Sequence, residues 1–472
     1  MTPTASAGRL ASVLTMCAAT ALGAFGGLER PGAILDGGAR QVAAQGFHSD
    51  EVDTMTSASL SHDGRLIAFV ARDRNSSQGQ CCRQVYVLDR STGLITLDSI
   101  RPLDIASRGD SRAPSLSLDG RVIAFETTQR LYADQRAVWL HVIVRDRQNG
   151  VWRTPQSAHG EPLNGNSAGP VVSGDGLAVV FTSHATNLTP APDANGAQSD
   201  IYLWRLDGST STRVSVNTDG TQPPGGASHS PSVSRDGHLI AFVSIARLAP
   251  EDVNDVPDIY LRDVVRGVTS LVSIGIGGRP ADGISHSPAL SADGRYVAYV
   301  SEAANLAPRD RNRVSDVYLY EVATRSIRLV SATSKGAAAN AASRAPALSA
   351  DGRYVVYQSV ASNLGSGPRC PGTISDMNLL ADVYLFDVAA TCVTRISGSP
   401  AQEWWTPSVA PAIDGAGSLV VFPSTQPMDE HDLSTDFDLF LLGHAPVGNS
   451  DPHQTRRPPA DGDLKAERRQ RH

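Results

Sequence analysis

The sequence contains almost no lysine: of its 41 Lys and Arg residues, only Lys335 and Lys465 are lysines. The formal net charge is −7 at pH 7. Nucleic acids and anionic lipid surfaces are bound mainly through clustered basic side chains that neutralise phosphates. The acidic balance therefore argues against both as the main partner.

Other absences narrow the class of protein. There are five cysteines in 472 residues, no Gly triplet repeat, no heptad repeat and only one uncharged stretch long enough to cross a membrane. These absences exclude a disulfide-rich miniprotein, a collagen, a coiled coil and a polytopic membrane protein. Regular clusters of Val, Ile, Leu and Phe also exclude a disordered chain.

Residues 1–28 have the pattern of a secretory signal peptide. Arg9 is followed by residues 10–28, an uncharged stretch rich in Ala, Leu, Thr and Gly. A basic start, an apolar run and small residues are typical of such signals. We predict cleavage near Gly26, and hence a secreted or periplasmic protein of a bacterial cell envelope with no integral membrane domain afterwards. A retained membrane anchor is the alternative interpretation.

Export would place the four remaining cysteines in an oxidising compartment, where an even number favours disulfides. Cys370 and Cys392 lie within one repeat and are the predicted pair. The states of the adjacent Cys81 and Cys82 stay open.

An internal repeat organises the chain. A pattern of Pro, a small residue, a large aliphatic residue, Ser, any residue, Asp, Gly and an apolar run occurs seven times, with some substitutions. An aromatic residue follows each repeat glycine by five positions, and a large aliphatic residue precedes it by four. The repeat glycines are Gly64, Gly120, Gly176, Gly237, Gly294, Gly352 and Gly417.

Each repeat is predicted to form four strands, A to D. Strand A ends at the Asp-Gly turn, and strand B is a continuous apolar run such as 296–300. Residues 316–319 are an example of strand C, and residues 328–331 are an example of strand D. Sheets this small must stack, which predicts an all-β fold, a seven-bladed β-propeller of four-stranded antiparallel blades. A linear β-solenoid is the alternative, although its turns are much shorter.

The two ends of the chain suggest how the ring closes. The last repeat has a strand C at 438–441 but no clear strand D, whereas residues 40–43 look like an isolated strand D. Val42 precedes Gly64 by 22 residues, as Val272 precedes Gly294. We predict that this N-terminal strand closes the ring. The propeller would span 29–442, followed by a disordered tail at 443–472.

The repeats resemble the WD-like propeller repeats of the TolB family, whose hallmark is Pro-x-aromatic-Ser-Pro-Asp-Gly before an apolar run. Pro288–Gly294 and Pro231–Gly237 carry this resemblance, which extends over roughly 40–442. In this chain an aliphatic residue precedes Ser in every repeat, where the TolB hallmark has an aromatic one, and the second Pro of the hallmark is absent. In the last repeat, Ala416 replaces the Asp of the hallmark. The resemblance implies a propeller fold.

Three B–C loops carry Asx clusters that could bind calcium. Two share the motif Asp-x-Asn-x-x-x-Asp, and a third is one residue longer. Alternating Asp and Asn side chains can supply several of the oxygen ligands that Ca²⁺ requires. The alternative is that these residues cap turns. The candidate ligands are Asp193, Asn195 and Asp200; Asp252, Asn254 and Asp258; and Asp310, Asn312 and Asp316.

A basic set begins the inner strands. Eight residues before the repeat glycine stand Arg112, His229, His286 and Arg344 in four of the repeats. Inner strands start near the propeller axis on the long-loop face, so these side chains could ring the channel mouth and attract a carboxylate or phosphate. Structural hydrogen bonds to neighbouring blades are the alternative. A Ser that precedes this position in six repeats is interpreted as structural.

The sequence lacks the H-E-x-x-H and P-loop motifs of common enzymes, and no G-x-S-x-G segment stands between a predicted strand and a predicted helix, as a nucleophile elbow requires. We therefore predict a non-catalytic, monomeric binding or protein-interaction module, stabilised by calcium. Its partner would be a protein or a small anionic ligand at the long-loop face, because propellers carry variable sites on loops. A propeller hydrolase or lyase acting on an envelope or extracellular substrate is the alternative function.

Overall fold

Each Ser-x-Asp-Gly corner of the repeat makes a tight turn between two antiparallel strands. In the fifth repeat, the Ser291 hydroxyl donates to Asp293 (2.6 Å) and accepts the N–H of Tyr296 (3.0 Å). Gly294 has a φ of +74°, a left-handed conformation that glycine adopts without steric cost. One serine therefore satisfies both sides of the turn, and the same bonds recur in the other complete motifs.

The structure is a computed structural model that describes residues 40–41, 58–72, 83–99, 109–129, 139–208, 210–365, 376, 378–397, 407–425 and 438–443. The chain divides into two units, Met1–Gly37 and Gly38–His472. The first unit, with the predicted signal peptide, lies outside the described residues, as does nearly all of the predicted tail.

The second unit contains seven four-stranded antiparallel sheets, here called blades 1 to 7. Blade 1 contains β2 (Ser59–Leu60), β3 (Leu66–Arg72), β4 (Arg83–Asp89) and β5 (Leu94–Leu97). Blade 2 contains β6 (Ser111–Leu116), β7 (Val122–Thr127), β8 (His141–Asp146) and β9 (Trp152–Arg153). Blade 3 contains β10 (Ser167–Val172), β11 (Ala178–Ser183), β12 (Asp200–Arg205) and β13 (Ser211–Arg213).

The remaining blades repeat this order. Blade 4 contains β14 (Ser228–Val233), β15 (Leu239–Ser244), β16 (Asp258–Asp263) and β17 (Val268–Leu271). Blade 5 contains β18 (Ser285–Leu290), β19 (Tyr296–Ser301), β20 (Asp316–Glu321) and β21 (Ser326–Leu329). Blade 6 contains β22 (Ser343–Leu348), β23 (Tyr354–Ser359), β24 (Asp382–Asp387) and β25 (Cys392–Arg395). Blade 7 contains β26 (Ala412–Ile413), β27 (Leu419–Ser424), β28 (Asp438–Gly443) and the N-terminal β1 (Arg40–Gln41).

The seven-bladed all-β propeller predicted from the repeats is therefore confirmed. β1 pairs antiparallel with β28, with Arg40 opposite Leu441 and Gln41 opposite Phe440. The fourth strand of blade 7 thus comes from near the start of the chain. Within the described part of the chain, no helix has the length and hydrophobicity needed to cross a bilayer.

The core lies between the blades and is built by strands B and C. The aromatic residue that follows the repeat glycine stacks on an aromatic residue of strand C in six blades, with Tyr299 and Tyr318 at 5.7 Å as one example. In blade 2, strand C carries Ile143 at that position, and Phe125 meets Trp152 of strand D edge-on instead. Strand B is buried on both faces, which explains its continuous apolar run.

A closed circle of main-chain hydrogen bonds joins the seven A–B turns, and we call it the turn belt. Each turn donates an N–H to a carbonyl in the turn of the next blade. The seven bonds are His62 to Leu118 (2.7 Å), Leu118 to Gly174 (3.0 Å), Asp175 to Arg235 (2.9 Å), Arg235 to Ala292 (2.8 Å), Asp293 to Ala350 (3.0 Å), Ala350 to Gly415 (3.0 Å) and Ala416 to His62 (2.9 Å). The belt links every pair of neighbouring blades, including blades 7 and 1.

Strand D begins and ends earlier than the sequence suggests. β21 covers 326–329 rather than 328–331. Ser331 leaves the ladder because its hydroxyl donates to Asp316 (2.5 Å) and accepts the N–H of Val317 (3.0 Å). A side chain here replaces the main-chain pairing that would have continued the strand.

Candidate functional site

The two faces of the propeller carry different kinds of connection between strands. The tight turns of the belt lie at one end of the inner strands, and the long B–C and D–A loops lie at the other. These loops bind one another: the N–H of Ile276, in a D–A loop, donates to the carbonyl of Asn305, in the next B–C loop (2.8 Å). The residues predicted to bind ligands and calcium are on this long-loop face.

Every fully described inner strand from blade 2 to blade 6 is interrupted by a bulge. In blade 4, His229 pairs with Val243 and Ser232 pairs with Ala241, so two residues of the inner strand stand opposite one residue of strand B. The residue after each candidate basic position has a positive φ, and blade 7 repeats this conformation. These residues are Ala113, Gly169, Ser230, Ser287, Ala345 and Ala410.

Five of these six residues have a side chain, although the left-handed conformation costs a non-glycine residue roughly 1 kcal/mol. Bulges change the direction of the neighbouring side chain and are frequent beside functional sites. The repeated distortion turns the inner strand just where Arg112, His229, His286 and Arg344 stand.

The serine that precedes the basic position is structural, as predicted. Its hydroxyl lies 2.9–3.0 Å from a hydroxyl at the end of strand B in the same blade, and all six serines are buried. Ser285, for example, pairs with Ser301 at 3.0 Å. These hydroxyl pairs fix the start of each inner strand beside strand B.

At two places, the N–H group of a bulge forms a hydrogen bond to a side chain of the neighbouring blade. Gly169 donates to the carboxylate of Glu126 in blade 2 (2.9 Å), and Ala410 donates to the amide oxygen of Gln358 in blade 6 (2.6 Å). The strand register places Thr182, Val243 and Val300 at the corresponding positions of blades 3 to 5. Valine has no acceptor atom, so the side chains of blades 4 and 5 cannot make this bond.

Two of the four predicted ligand-binding residues, Arg344 and His229, act electrostatically on a third, His286. Burial lowers the pKa of His286, and the positive charge of Arg344 and the neighbouring His229 lower it further, whereas Glu302 raises it. Burial also lowers the pKa of His229. The Arg344 side chain is exposed, and each half-buried imidazole lies 2.9 Å from the hydroxyl of the next serine.

Arg112 has a different environment. Its guanidinium forms an ion pair with Asp110 at 2.6 Å, in which 41% of the Arg112 side chain and 32% of the Asp110 side chain are exposed. Arg112 thus begins an inner strand like the other three residues, but a carboxylate from its own blade already neutralises it.

The predicted calcium ligands form compact Asx turns in the B–C loops of blades 3, 4 and 5. In blade 4, the N–H of Asn254 donates to Asp252 (3.1 Å), and the Asn254 amide donates to the carbonyl of Ala281 in the D–A loop (2.9 Å). The Tyr260 hydroxyl donates to the other oxygen of Asp252. Asn312, Asp310 and Tyr318 repeat these contacts in blade 5.

The last aspartate of each motif is buried at the start of strand C. The Ser273 hydroxyl donates to Asp258 (2.6 Å), and Ser215 and Ser331 do the same for Asp200 and Asp316. Burial raises the pKa of Asp258 and Asp316 to about 7, with a smaller contribution from Asp252 and Asp310 respectively. The pKa of Asp200 is raised by burial to about 6.

A guanidinium lies beside the aspartates of blade 3. Arg213 Nε is 3.6 Å from Asp200, and an Arg213 terminal nitrogen is 4.0 Å from Asp193. The Gln222 amide donates to Asp193 (3.1 Å) and to Asp200 (2.8 Å). The aspartates of the predicted triple Asp193, Asn195 and Asp200 are thus bridged by side chains of the protein itself.

Blade 6 contains a fourth copy of the motif, which the sequence reading missed. Asp376, Asn378 and Asp382 have the same spacing as the copies in blades 4 and 5, a signal that was present in the sequence. Arg395 lies 3.8 Å from Asp376 and 3.1 Å from Asp382. Among the described residues, no three His, Cys, Asp or Glu side chains form a group suited to a metal.

Only one half of the predicted disulfide can be described. Cys392, at the start of β25, is disulfide-bonded. Cys370 lies outside the described residues, as do Cys81 and Cys82, so the pairing of Cys370 with Cys392 stays a prediction.

Comparison with known proteins relates the chain to propellers. No family model and no curated protein matches it. An oligogalacturonate lyase from Vibrio parahaemolyticus is 12% identical, with a TM-score of 0.50, over 85% of this chain and 92% of the lyase. A protein from Agrobacterium tumefaciens described as a putative TolB is 18% identical over 61% of this chain and 80% of that protein, with a TM-score of 0.37.

The propeller domain of the Trilobed protease from Pyrococcus furiosus is 12% identical, with a TM-score of 0.49, over 82% of this chain and 91% of that domain. At these identities the similarity concerns the fold alone. The protein is a seven-bladed β-propeller.

Proposed function

We propose that the chain is an exported, non-catalytic binding module that takes up an anionic group at the centre of its long-loop face. The group is a carboxylate or phosphate, carried by a small ligand or by a partner protein. Its receptors are Arg344, His286 and His229, whereas Arg112 on a further blade already pairs with Asp110. The observation that carries this proposal is that His229, His286 and Arg344 stand at equivalent positions of three successive inner strands, where Arg344 and His229 both lower the pKa of His286.

The charges favour an anion as the ligand. Arg344 depresses the pKa of His286, which means that the imidazolium and the guanidinium repel each other. A bound anion relieves such repulsion and supplies a partner to each of the exposed or half-buried groups. Glu302 offsets part of the positive charge, so a single anionic group suits the site better than a polyanion such as nucleic acid.

The bulges support the same conclusion. Ser230, Ser287 and Ala345 keep a costly left-handed conformation beside the three receptors. Strain of this kind is frequent at ligand sites, where it orients groups before binding. Val243 and Val300 occupy the positions from which Glu126 and Gln358 capture bulge N–H groups elsewhere in the ring. The inner strands of blades 5 and 6 therefore lack a built-in acceptor at this place.

Export and the envelope location belong to the same proposal. They rest on the signal-like pattern of residues 1–28 and on the TolB-like repeats. Cell fractionation with an antibody against the propeller tests them, because an exported chain would be recovered outside the cytoplasm and shortened by its first ~28 residues.

Calorimetric titration with inorganic phosphate and with citrate tests the binding site. We expect wild-type protein to bind at least one of them, and R344Q/H286Q to lose most of the affinity. The matched control is R295Q, because Arg295 is an exposed arginine in the tight turn of blade 5 and lies on the opposite face. Equal affinity in wild type and R344Q/H286Q would refute the proposed site.

The same proteins should be incubated with oligogalacturonate, a polymeric carboxylate. The proposal predicts no turnover. Cleavage that H229Q/H286Q abolishes would establish the alternative function, a propeller lyase or hydrolase.

A further inference from the structure

Four consecutive blades bury a pair of aspartates at the same place, but they balance the charge in two different ways. The strand register aligns one residue of strand D with the tyrosine of strand C in each blade. That residue is Arg213 in blade 3, Leu271 in blade 4, Leu329 in blade 5 and Arg395 in blade 6. The two arginines form ion pairs with their aspartates, whereas the leucines carry no charge.

Asp258 shows most clearly what blade 4 lacks. Its side chain is fully buried, and its Oδ2 has no hydrogen-bond partner. In blade 3, the equivalent oxygen of Asp200 accepts the Gln222 amide and faces Arg213. Repeat alignment places Pro280 at the position of Gln222, and Pro280 has no side-chain donor. The oxygen that faces a cation in blade 3 thus has neither a cation nor a hydrogen bond in blade 4, where Asn254 is a neighbouring polar side chain.

Two buried carboxylates without a neighbouring cation destabilise the folded state, because desolvation of each charge costs several kcal/mol. Blades 4 and 5 nevertheless each contain such a pair, Asp252 with Asp258 and Asp310 with Asp316, and these four residues are at most 4% exposed. In blade 5, Asp316 accepts the Asn312 amide (3.0 Å), which satisfies one oxygen but supplies no positive charge.

We propose that blades 4 and 5 each bind a divalent cation of the calcium type between their two aspartates, where blades 3 and 6 place an arginine. Asp252 and Asp258 hold one ion, and Asp310 and Asp316 hold the other, with water as a further oxygen ligand. Asn254 and Asn312 tie each loop to the adjacent D–A loop rather than ligate. The triple of blade 3 is not part of this proposal because Arg213 and Gln222 bridge its aspartates.

These sites are separate from the anion site and can be tested independently of it. The protein is treated with a chelator and then titrated with CaCl₂, with MgCl₂ in parallel, while bound metal is measured by equilibrium dialysis and Tm by calorimetry. We expect one calcium ion in each of two blades, and a Tm that rises with calcium concentration.

Two sets of variants locate the ions. L271R/L329R introduces the arrangement of blades 3 and 6, and it should abolish calcium binding while keeping the Tm in chelator at or above that of wild type. D258N/D316N, which preserves shape, should also lose calcium binding and covers the case in which the arginine variant fails to fold. The matched control D193N/D200N alters the arginine-containing blade and should leave calcium binding unchanged.

Several outcomes would overturn the proposal. They are a wild-type protein that binds no calcium, calcium binding that survives in D258N/D316N, and calcium binding that is lost only in the D193N/D200N control. Phosphate binding measured on the same samples reports on the anion site, so failure of one proposal is distinguishable from failure of the other.

Discussion

The main-chain N–H of Ala416 in blade 7 donates a 2.9 Å hydrogen bond to the carbonyl of His62 in blade 1. This bond completes the turn belt between the last blade and the first. On the other side of the same blade, β1 pairs with β28. Blades 7 and 1 are thus joined both by the belt and by a strand from the N-terminal part of the chain.

The first prediction concerns β1. A chain that starts at residue 46 lacks β1 and leaves the outer edge of β28 unpaired, so it should fold with a lower Tm and a greater tendency to aggregate than a chain that starts at residue 29. Calorimetry and light scattering measure both effects. Removal of residues 444–472, which are all but the first residue of the predicted tail, is the control and should leave Tm unchanged. An unchanged Tm without β1 would show that the belt alone suffices.

The second prediction concerns the turn of blade 7, where Asp414 replaces the usual Ser and Ala416 replaces the usual Asp. Asp414 accepts the N–H of Leu419 (3.0 Å) and the Ser418 hydroxyl (2.7 Å). D414S alone should destabilise the protein by about 1 kcal/mol, and D414S/A416D should recover most of that loss, since it restores the turn of the other blades. Urea unfolding measures both. If the free-energy change of D414S/A416D equals the sum of the changes caused by D414S and A416D alone, the idea that Asp414 compensates for Ala416 is contradicted.

The third prediction concerns Arg395, which is 2% exposed and pairs with Asp382. R395L leaves a buried carboxylate without its cation and should cost about 3–5 kcal/mol in the presence of a chelator. If leucine at this place creates a cation site, calcium should restore part of the loss and the variant should bind an additional ion. R328L, which alters an exposed strand-D arginine, should show neither effect. If calcium changes neither the stability of R395L nor the number of ions it binds, the proposal that a metal ion can take the place of arginine is refuted.

The fourth prediction concerns pH. Burial lowers the pKa of His229 and His286 below the ordinary value of 6.5, so the unfolded chain takes up protons before the folded chain does. Stability contributed by these residues is therefore complete above about pH 6.5 and decreases as the pH falls. The difference in Tm between wild type and H229Q/H286Q should change sign or shrink between about pH 8 and about pH 5. A difference independent of pH would contradict the assigned environment.

Much of the fold could be predicted from the sequence because each blade repeats the same few residues. The Asp-Gly turns, the buried strands B and the stacked aromatic residues all follow from side chains that recur at fixed spacing. The turn belt could not be predicted, because it joins main-chain atoms and leaves no mark on the side chains. The early end of strand D depends on Ser331 and its bond to Asp316, a contact between residues 15 positions apart.

Prediction of the candidate sites was more limited. The spacing of the repeats placed His229, His286 and Arg344 at corresponding positions, but the left-handed bulge beside them became visible only in the structure. The fourth acidic motif, at 376–382, was present in the sequence and overlooked. Arg213 and Arg395 distinguish the acidic loops of blades 3 and 6 from the similar loops of blades 4 and 5. They lie on strand D, however, and only the strand register brings them beside the aspartates.

The most direct test of the central claim is to determine where the anion binds. Long-range ¹H–¹⁵N spectra of the histidine rings, assigned with H229Q and H286Q, should be recorded during a titration with inorganic phosphate. We predict that the His229 and His286 resonances shift together and saturably, and that R344Q abolishes both shifts. Saturable binding that leaves these two rings unchanged would contradict the proposed site.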